Sequence, residues 1–254
     1  MKELFIYRNL LLELVKRDIK KKYRRSVLGI LWSMLNPFFT MLIMTMVFST
    51  FFKFAIDNFP VYLLTGQLIF NFYGEATNTA MGSILENSAL IKKVYVPKYI
   101  FPIARVLSSG INFLLSLPGL LLLLFITKID IKWIMGWSIV PIIYLLVFCC
   151  GIGLILSTIT VYFRDTFHLY GILLTALSYL TPIFYPKEIV PEKYMFLINF
   201  NPLYYFVTMF RDLIYYGRLP VFKDHITCIV IALISLILGI IVFIRNQKKF
   251  ILFI

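Results

Sequence analysis

The sequence predicts an all-α integral membrane protein: six transmembrane helices, an amphipathic interfacial helix at the N-terminus, and two short outer re-entrant or gate helices between spans 5 and 6. Three observations carry that fold class. Residues 26–52, 106–127, 133–163, 166–186 and 225–244 contain no Asp, Glu, Lys or Arg, and each stretch is long enough to cross ~30 Å of hydrocarbon as a helix. The chain is 61% hydrophobic and 15% charged, against about half apolar and a quarter charged for a soluble domain. Its net charge of +13 sits on short flanks of the apolar runs, where positive residues mark the cytoplasmic side. A water-soluble enzyme, a secreted disulfide scaffold and a disordered chain are excluded. Six spans with their connections use the 254 residues, so residues 1–254 are expected to form a single transmembrane domain.

Residues 1–25 form the basic preamble. Leu4, Tyr7, Leu11, Val15, Ile19 and Tyr23 recur at steps of three and four, which places them on one helix face. Arg8, Lys16, Arg17, Lys20, Lys21 and Arg24 occupy the rest. Such a helix is expected to lie in the interface, apolar face down and charges toward lipid phosphate. Anionic inner-leaflet lipid accounts for the basic charge without a nucleic acid. The first apolar run begins only after this preamble and lacks a small-residue cleavage pattern, so it reads as a permanent span.

Span 1 covers 27–52 with Asn36-Pro37 inside it, a kink that neighbouring helices tolerate in a membrane. Span 2, residues 59–81, contains Gln67, Asn71, Glu75 and Asn78. That many polar groups point to packing against protein or a water-filled path rather than lipid. Glu75 is a functional candidate on the same ground. Its depth near Arg105 on the next span also predicts an inner-leaflet ion pair between the two. An inner loop, 82–100, follows, and Pro97 and Pro102 bracket the start of span 3 at 103–127. Arg105 at that inner end is expected to snorkel.

Span 4 lies within 133–163 and span 5 at 166–185, joined by the short inner turn Arg164-Asp165. Span 6 covers 225–244. Residues 186–224 are too apolar for a solvated loop and too interrupted to cross. Asn201-Pro202 reads as an N-cap followed by proline at the first helical position, with Gly217 as the stop. Pro191 opens a shorter helix before it. Phe200, Tyr204, Tyr205, Phe206, Phe210, Tyr215 and Tyr216 suit an interfacial aromatic belt. Inner segments hold nine, three, one and three Lys or Arg against one, two and five outside, which predicts both termini in the cytoplasm of a multi-pass cell-membrane protein.

Catalytic chemistry is not evident. No phosphate-cradling glycine loop ending in Lys-Ser or Lys-Thr occurs, and no HExxH, CxxC or GxSxG. Cys149, Cys150 and Cys228 all fall in apolar runs and read as small hydrophobes. Neither a metal site nor a catalytic residue is assigned.

Several motifs in order are similar to a known family. The basic preamble runs into Tyr23-Arg24-Arg25-Ser26-Val27-Leu28-Gly29-Ile30-Leu31-Trp32 and Asn36-Pro37. Leu90-Ile91-Lys92-Lys93-Val94 follows with Pro97 and Pro102, then Tyr162-Phe163-Arg164-Asp165. Thr181-Pro182-Ile183-Phe184-Tyr185-Pro186, Asn201-Pro202-Leu203 and Arg211 complete the set. The whole chain thereby resembles ABC-2-type polysaccharide permeases, the membrane subunits of exporters for O antigen, capsule and teichoic acid.

The resemblance implies a homodimer with two copies of a separate ABC ATPase that carries ATP and Mg. It implies an ATPase-coupling surface at Glu86, Asn87, Leu90, Ile91, Lys92, Lys93 and Val94, and an exit-side gate containing Pro182, Asn201, Pro202 and Arg211. The implied substrate is an undecaprenyl-diphosphate-linked glycan. Lys22, Arg24 and Arg25 then stand where the lipid diphosphate arrives, although topology setting explains them equally well. Phe38, Phe70, Tyr73, Tyr179 and Tyr185 are candidate channel aromatics, with core or lipid packing as the alternative for each. An ABC-2 exporter of small lipids or drugs and an ion-driven secondary transporter are the competing functions.

Overall fold

The computed structural model describes residues 7–24, 26–51 and 56–253, and among them every regular element is helical. Ten α-helices follow in order: α1 Arg8–Tyr23, α2 Trp32–Phe51, α3 Phe59–Glu86, α4 Ser88–Lys93, α5 Ile100–Ile126, α6 Ile139–Tyr162, α7 Thr166–Leu180, α8 Met195–Phe200, α9 Pro202–Ile214 and α10 Phe222–Asn246. Turns of 3-10 helix extend α2 back to Gly29 and α6 back to Trp133. Four of these units, Gly29–Ser49, Ile100–Ile126, Trp133–Tyr162 and Phe222–Asn246, are long and apolar enough to cross a bilayer.

Helix α3 is the centre of the bundle. Its 28 residues continue five positions past the 59–81 expected from hydropathy. Most of its surface is covered by α2, α5, α6 and α9. Burial inside protein relaxes the demand for apolar residues, so the polar side chains of this helix need not meet lipid. Phe72, Phe113 and Phe210 pack ring to ring at 5.3 and 6.3 Å, and Tyr73, Phe148 and Phe206 at 5.8 and 5.4 Å. Two of the aromatics expected in an interfacial belt, Phe206 and Phe210, are fully buried in this core. Helix α9 is short but strongly amphipathic, and those rings fall on its covered face.

The tightest helix contact is between α6 and α10. A Cβ on Gly151 would lie 2.3 Å from the Ser235 carbonyl carbon, and one on Gly239 would lie 2.4 Å from the Gly151 oxygen. The Ser235 hydroxyl donates to the Phe148 carbonyl at 3.3 Å. Apolar burial gives little drive between helices in lipid, so close backbone approach by small residues supplies the attraction instead. Cys149 and Cys228 are buried and unpaired in the apolar core.

Two expectations are corrected. The fifth apolar run ends as a helix at Leu180, not 185, because Pro182 pushes Thr181 into extended backbone (φ −88°, ψ 126°). The 15-residue α7 therefore reaches only about 22 Å. The apolar face of α1 does not look into lipid: Leu14 and Val15 are buried against Ile84, Phe101, Phe243 and Phe250. That cluster closes the end of the bundle carrying α1, α4 and the chain's C-terminal tail, hereafter the basic end. The opposite, aromatic end carries α8 and α9.

Candidate functional site

Three helices each turn a stripe of polar side chains toward one groove. On α3 these are Gln67, Asn71, Glu75 and Asn78, on α2 Ser33, Asn36 and Thr40, and on α5 Ser109, Asn112 and Ser116. Steps of three and four put each set on a single helix face. The cavity between them measures about 590 Å³ and is also lined by Tyr23, Trp32, Phe70 and Phe72. Hydroxyls, carboxamides and flat rings thus alternate along one wall.

The mouth of the groove, toward the basic end, is closed by an ion pair. Lys22 Nζ donates to Glu75 Oε1 at 2.8 Å, and Asn112 Nδ2 donates to the same oxygen at 2.6 Å. The Tyr23 hydroxyl donates to Asn112 Oδ1 at 3.1 Å and also bonds the Ser33 hydroxyl. Helix α1 is therefore fastened across the entrance by its last turn. Further in, Gln67 is buried and its Oε1 has no partner among the described residues. An acceptor stranded in this way favours a ligand or water that offers a hydroxyl.

Glu75 does not pair with Arg105. Helices α3 and α5 run antiparallel in a register that sets Glu75 beside Asn112 and Glu86 beside Arg105. Seven residues of helix separate Arg105 from Asn112, about 10 Å. Nor does Arg105 snorkel. Its side chain is 14% exposed, with Nη2 2.5 Å from Glu86 Oε2 and Nε 3.4 Å from Asp18 Oδ2. Asp18 on α1 also receives Arg17 at 3.0 Å, and Arg17 Nη1 donates to Asn87 Oδ1 at 3.0 Å. One charged network joins α1, α5 and the junction between α3 and α4.

Around that junction Asn87 is buried, bonding back to the Ser83 carbonyl at 2.7 Å. Ile91 is buried and Leu90 half-buried in the apolar cluster of the basic end. Lys92, Lys93 and Val94 are exposed, as is Tyr95, at 96% the most open ring there. Tyr95 had no periodic neighbour in the sequence to single it out. Lys98 holds the following turn, donating to the Gln247 carbonyl at 2.7 Å, and its burial lowers its pKa.

At the aromatic end, Arg211 is 5% exposed. Among the described residues its guanidinium donates only to main-chain carbonyls: Pro182 at 2.6 Å, Ile183 at 3.0 Å and Tyr62 at 3.1 and 3.2 Å. It also lies 3.6 Å over the Tyr62 ring. Gly66 makes the space, since a Cβ there would be 2.5 Å from Arg211 Nη2. Asn201 caps α9 through the Leu203 N–H at 3.0 Å and donates to the Thr181 hydroxyl at 2.7 Å. Pro202 fills the first helical position, and Gly217 has the positive φ (+59°) of the stop. Pro182, Asn201, Pro202 and Arg211 therefore meet in one joint between α3, the bend after α7, and α9.

The remaining sequence candidates are scattered. Phe70 lines the groove. Tyr73 is turned away from it into the core against Phe148, because it lies on the opposite face of α3 from Asn71 and Glu75. Phe38 packs on the main core. Tyr179 is exposed near Phe184, and the Tyr185 hydroxyl bonds the Tyr179 carbonyl at 2.6 Å. Arg24 is exposed at the end of α1, and Arg25 lies outside the described residues. No spacing in the sequence marks Trp32, Phe72 or the α2 and α5 stripes as groove residues, because their Ser, Thr and Asn are diluted among apolar residues.

A bundle of long apolar helices enclosing a carboxamide-lined groove, fastened by charge at one end, defines a multi-pass membrane transport protein. The chain belongs to the ABC-2 type transporter family, whose model matches residues 9–215. It is 32% identical over 226 residues to the O-antigen export system permease protein RfbA of Myxococcus xanthus, covering 87% of this chain and 85% of that protein. A Klebsiella pneumoniae protein of the same description is 30% identical over 215 residues, 83% and 82% of the two chains. The polysialic acid transport protein KpsM of Escherichia coli is 27% identical over 210 residues, 79% of each.

Proposed function

We propose that this chain is the permease subunit of an ATP-driven exporter that moves a lipid-linked polysaccharide, of the O-antigen or capsule kind, across the cytoplasmic membrane. The observation that carries the reading is the groove. Carboxamides, hydroxyls and a carboxylate exchange hydrogen bonds with sugar hydroxyls, and Trp32 and Phe70 give flat faces to sugar C–H edges. Membership of the ABC-2 family and the names of the relatives agree with it.

In this reading α2, α3, α5, α6, α7 with its bend, and α10 are six crossings, and both termini are cytoplasmic. Two copies of the chain form the pathway above two copies of an ATPase that binds ATP and Mg. Helix α1 with residues 82–100 is the cytoplasmic coupling surface, and Lys92, Lys93 and Val94 are the part of it that meets the ATPase. The joint at Pro182, Asn201, Pro202 and Arg211 positions the exit gate. Asp18 and Lys22 lie one turn apart on α1, so a push on α4 reaches the groove mouth through Glu86, Arg105, Asp18 and Lys22. A lipid diphosphate takes Lys22 from Glu75 by charge-assisted bonds, with Arg24 and Arg25 nearby in sequence. ATP-driven closure then selects the open arrangement of the mouth.

The test is deletion of the chain, with surface glycan measured by immunoblot. It is paired with gentle-detergent isolation of the tagged protein and mass spectrometry of what it retains. Loss of the glycan, and a two-plus-two complex with an ATPase holding diphospholipid-linked sugar, are the expected results. Intact surface glycan would transfer the machine to small lipids or drugs. A chain isolated without an ATPase would end the exporter reading.

A further inference from the structure

We propose that a second cavity, at the aromatic end, is a saccharide-binding site that holds the exported chain after it has left the groove. The inference rests on the polysaccharide reading above, under which this end faces outward. The cavity measures about 450 Å³, within the ~300–1,000 Å³ usual for small-ligand sites. Three separate segments build it: the connection before α3, the turn at 186–188, and α9 with its exit.

Its walls are tyrosines held in place. Tyr62, Tyr215 and Tyr216 stand edge to face in series, with centroids 5.6 and 4.7 Å apart. The Tyr62 hydroxyl donates to the Tyr185 carbonyl at 3.0 Å, and that of Tyr215 donates to the Asp57 carbonyl. Across the cavity, Lys187 donates to the Tyr204 hydroxyl at 3.1 Å with its ammonium 4.7 Å from the ring centroid. Rings fixed before binding offer flat apolar faces at little cost in side-chain entropy.

The charges of the lining balance, which suits a neutral, hydroxyl-rich ligand. Asp212 is taken by Arg218 at 2.7 Å, and Arg211 by main-chain carbonyls. The Asp57 and Glu188 carboxylates line the cavity without an ion-pair partner among the described residues. Lys187 is likewise bonded to a neutral hydroxyl, so the three acidic and three basic groups of the lining balance and leave no net positive charge to hold a phosphate or an acidic peptide. The Asp57 and Glu188 carboxylates accept paired bonds from the neighbouring hydroxyls of a neutral sugar, and the tyrosine faces take its C–H side. The three acidic side chains do not gather as metal ligands, and no metal-binding group occurs among the described residues.

The site is separate from the groove. Tyr62 lies five residues beyond Gln67 on α3, about 7.5 Å further along the axis and on a different face. It therefore meets a chain that has already emerged and resists its return.

The experiment uses the whole exporter complex in lipid nanodiscs. The probe is the oligosaccharide released by mild acid from the host's own surface polysaccharide, read by saturation-transfer NMR. Transfer to sugar C–H protons is expected for the unmodified complex. Binding should weaken about tenfold in the double variant Tyr216→Ala, Glu188→Gln, the scale of losing one aromatic face and one charge-assisted bond. Both positions are solvent-exposed, so the fold is not at risk, and Tyr216→Phe should keep the binding. No transfer to the unmodified complex, equal transfer in the double variant, or loss confined to the groove variant Asn112→Ala would each overturn the site. If deleting the chain abolishes surface glycan while the double variant binds normally, only this site fails. If surface glycan survives deletion, the polysaccharide reading fails with it.

Discussion

Arg105 and Arg211 are both largely buried, and they are satisfied in opposite ways. Arg211, at the aromatic end, spends its donors on the main-chain carbonyls of Pro182, Ile183 and Tyr62. Those acceptors cannot change rotamer or protonate, so the bonds break only if the helices themselves move. Arg105, at the basic end, is held by the carboxylates of Asp18 and Glu86, side chains that can swing away. Its Nε and Asp18 Oδ2 also lack a hydrogen-bond partner of good geometry. Desolvation offsets much of the Coulomb gain in such pairs. One end is therefore cemented and the other jointed, and the jointed end is where α1, α4 and the groove mouth meet.

The largest effect should come from breaking the cement. Arg211→Met removes four guanidinium bonds at a cost of about 3–5 kcal/mol. Among the described residues, the Ile183 carbonyl loses its donor, while Tyr62 keeps the Thr65 hydroxyl at 2.9 Å and Pro182 only the long bond from the Tyr62 hydroxyl at 3.5 Å. Gly66→Val should match it by driving a Cβ into the guanidinium. Thermal denaturation of the purified protein, or loss of the folded peak on gel filtration, reads both. Arg211→Lys should rescue poorly, because one ammonium cannot reproduce a planar fork.

Next is the joint. Arg105→Gln should cost about 1–3 kcal/mol by uncovering Asp18, yet leave an assembled protein that hydrolyses ATP without exporting. An unaltered ratio of transport to hydrolysis would remove Arg105 from the coupling path. Exchanging the charges at Glu75 and Arg105 should not rescue either single change, since the two are not partners. Double exchange at Glu86 and Arg105 should restore that pair but rescue only in part, because the new carboxylate at 105 faces buried Asp18.

Leu90→Asp should act on the jointed end alone. It sits at the edge of the apolar cluster of the basic end, so the bundle should persist while hydrolysis and export separate. The smallest effect on stability is expected for Glu75→Gln. Its side chain is 35% and that of Lys22 43% exposed, so the pair contributes no more than about 1 kcal/mol. Export should nevertheless fall, and a variant that exports normally would free the groove mouth of any role for the pair.

Much of this architecture is legible in the chain because it is written locally. Charge-free runs mark α2, α5, α6 and α10, and Asn201-Pro202 with Gly217 marks both ends of α9. Hydrogen-bond caps and hydrophobic length act within a few residues of themselves. The polar face of α3 is legible too, since Gln67, Asn71, Glu75 and Asn78 interrupt an apolar run at helical spacing. The matching stripes on α2 and α5 are not, because Ser, Thr and Asn inside a span are satisfied by their own helix as often as by a neighbour, as the Thr40 hydroxyl is by the Asn36 carbonyl.

Local pattern was enough for a helical membrane protein, the places of its long helices, the breaks at proline, and the polar face of α3. Partners were set by packing between helices. Tyr73 falls in the core and Phe70 on the groove although they are three residues apart, because α6 covers one face of α3 and leaves the other open. The apolar face of α1 meets protein instead of lipid because α5 lies beside it. Glu75 meets Lys22 and Asn112 instead of Arg105 because antiparallel register fixes which turns of α3 and α5 are level. Spacing along a chain gives the face and the depth of a side chain to within a turn or two, whereas an ion pair is decided over a few ångströms.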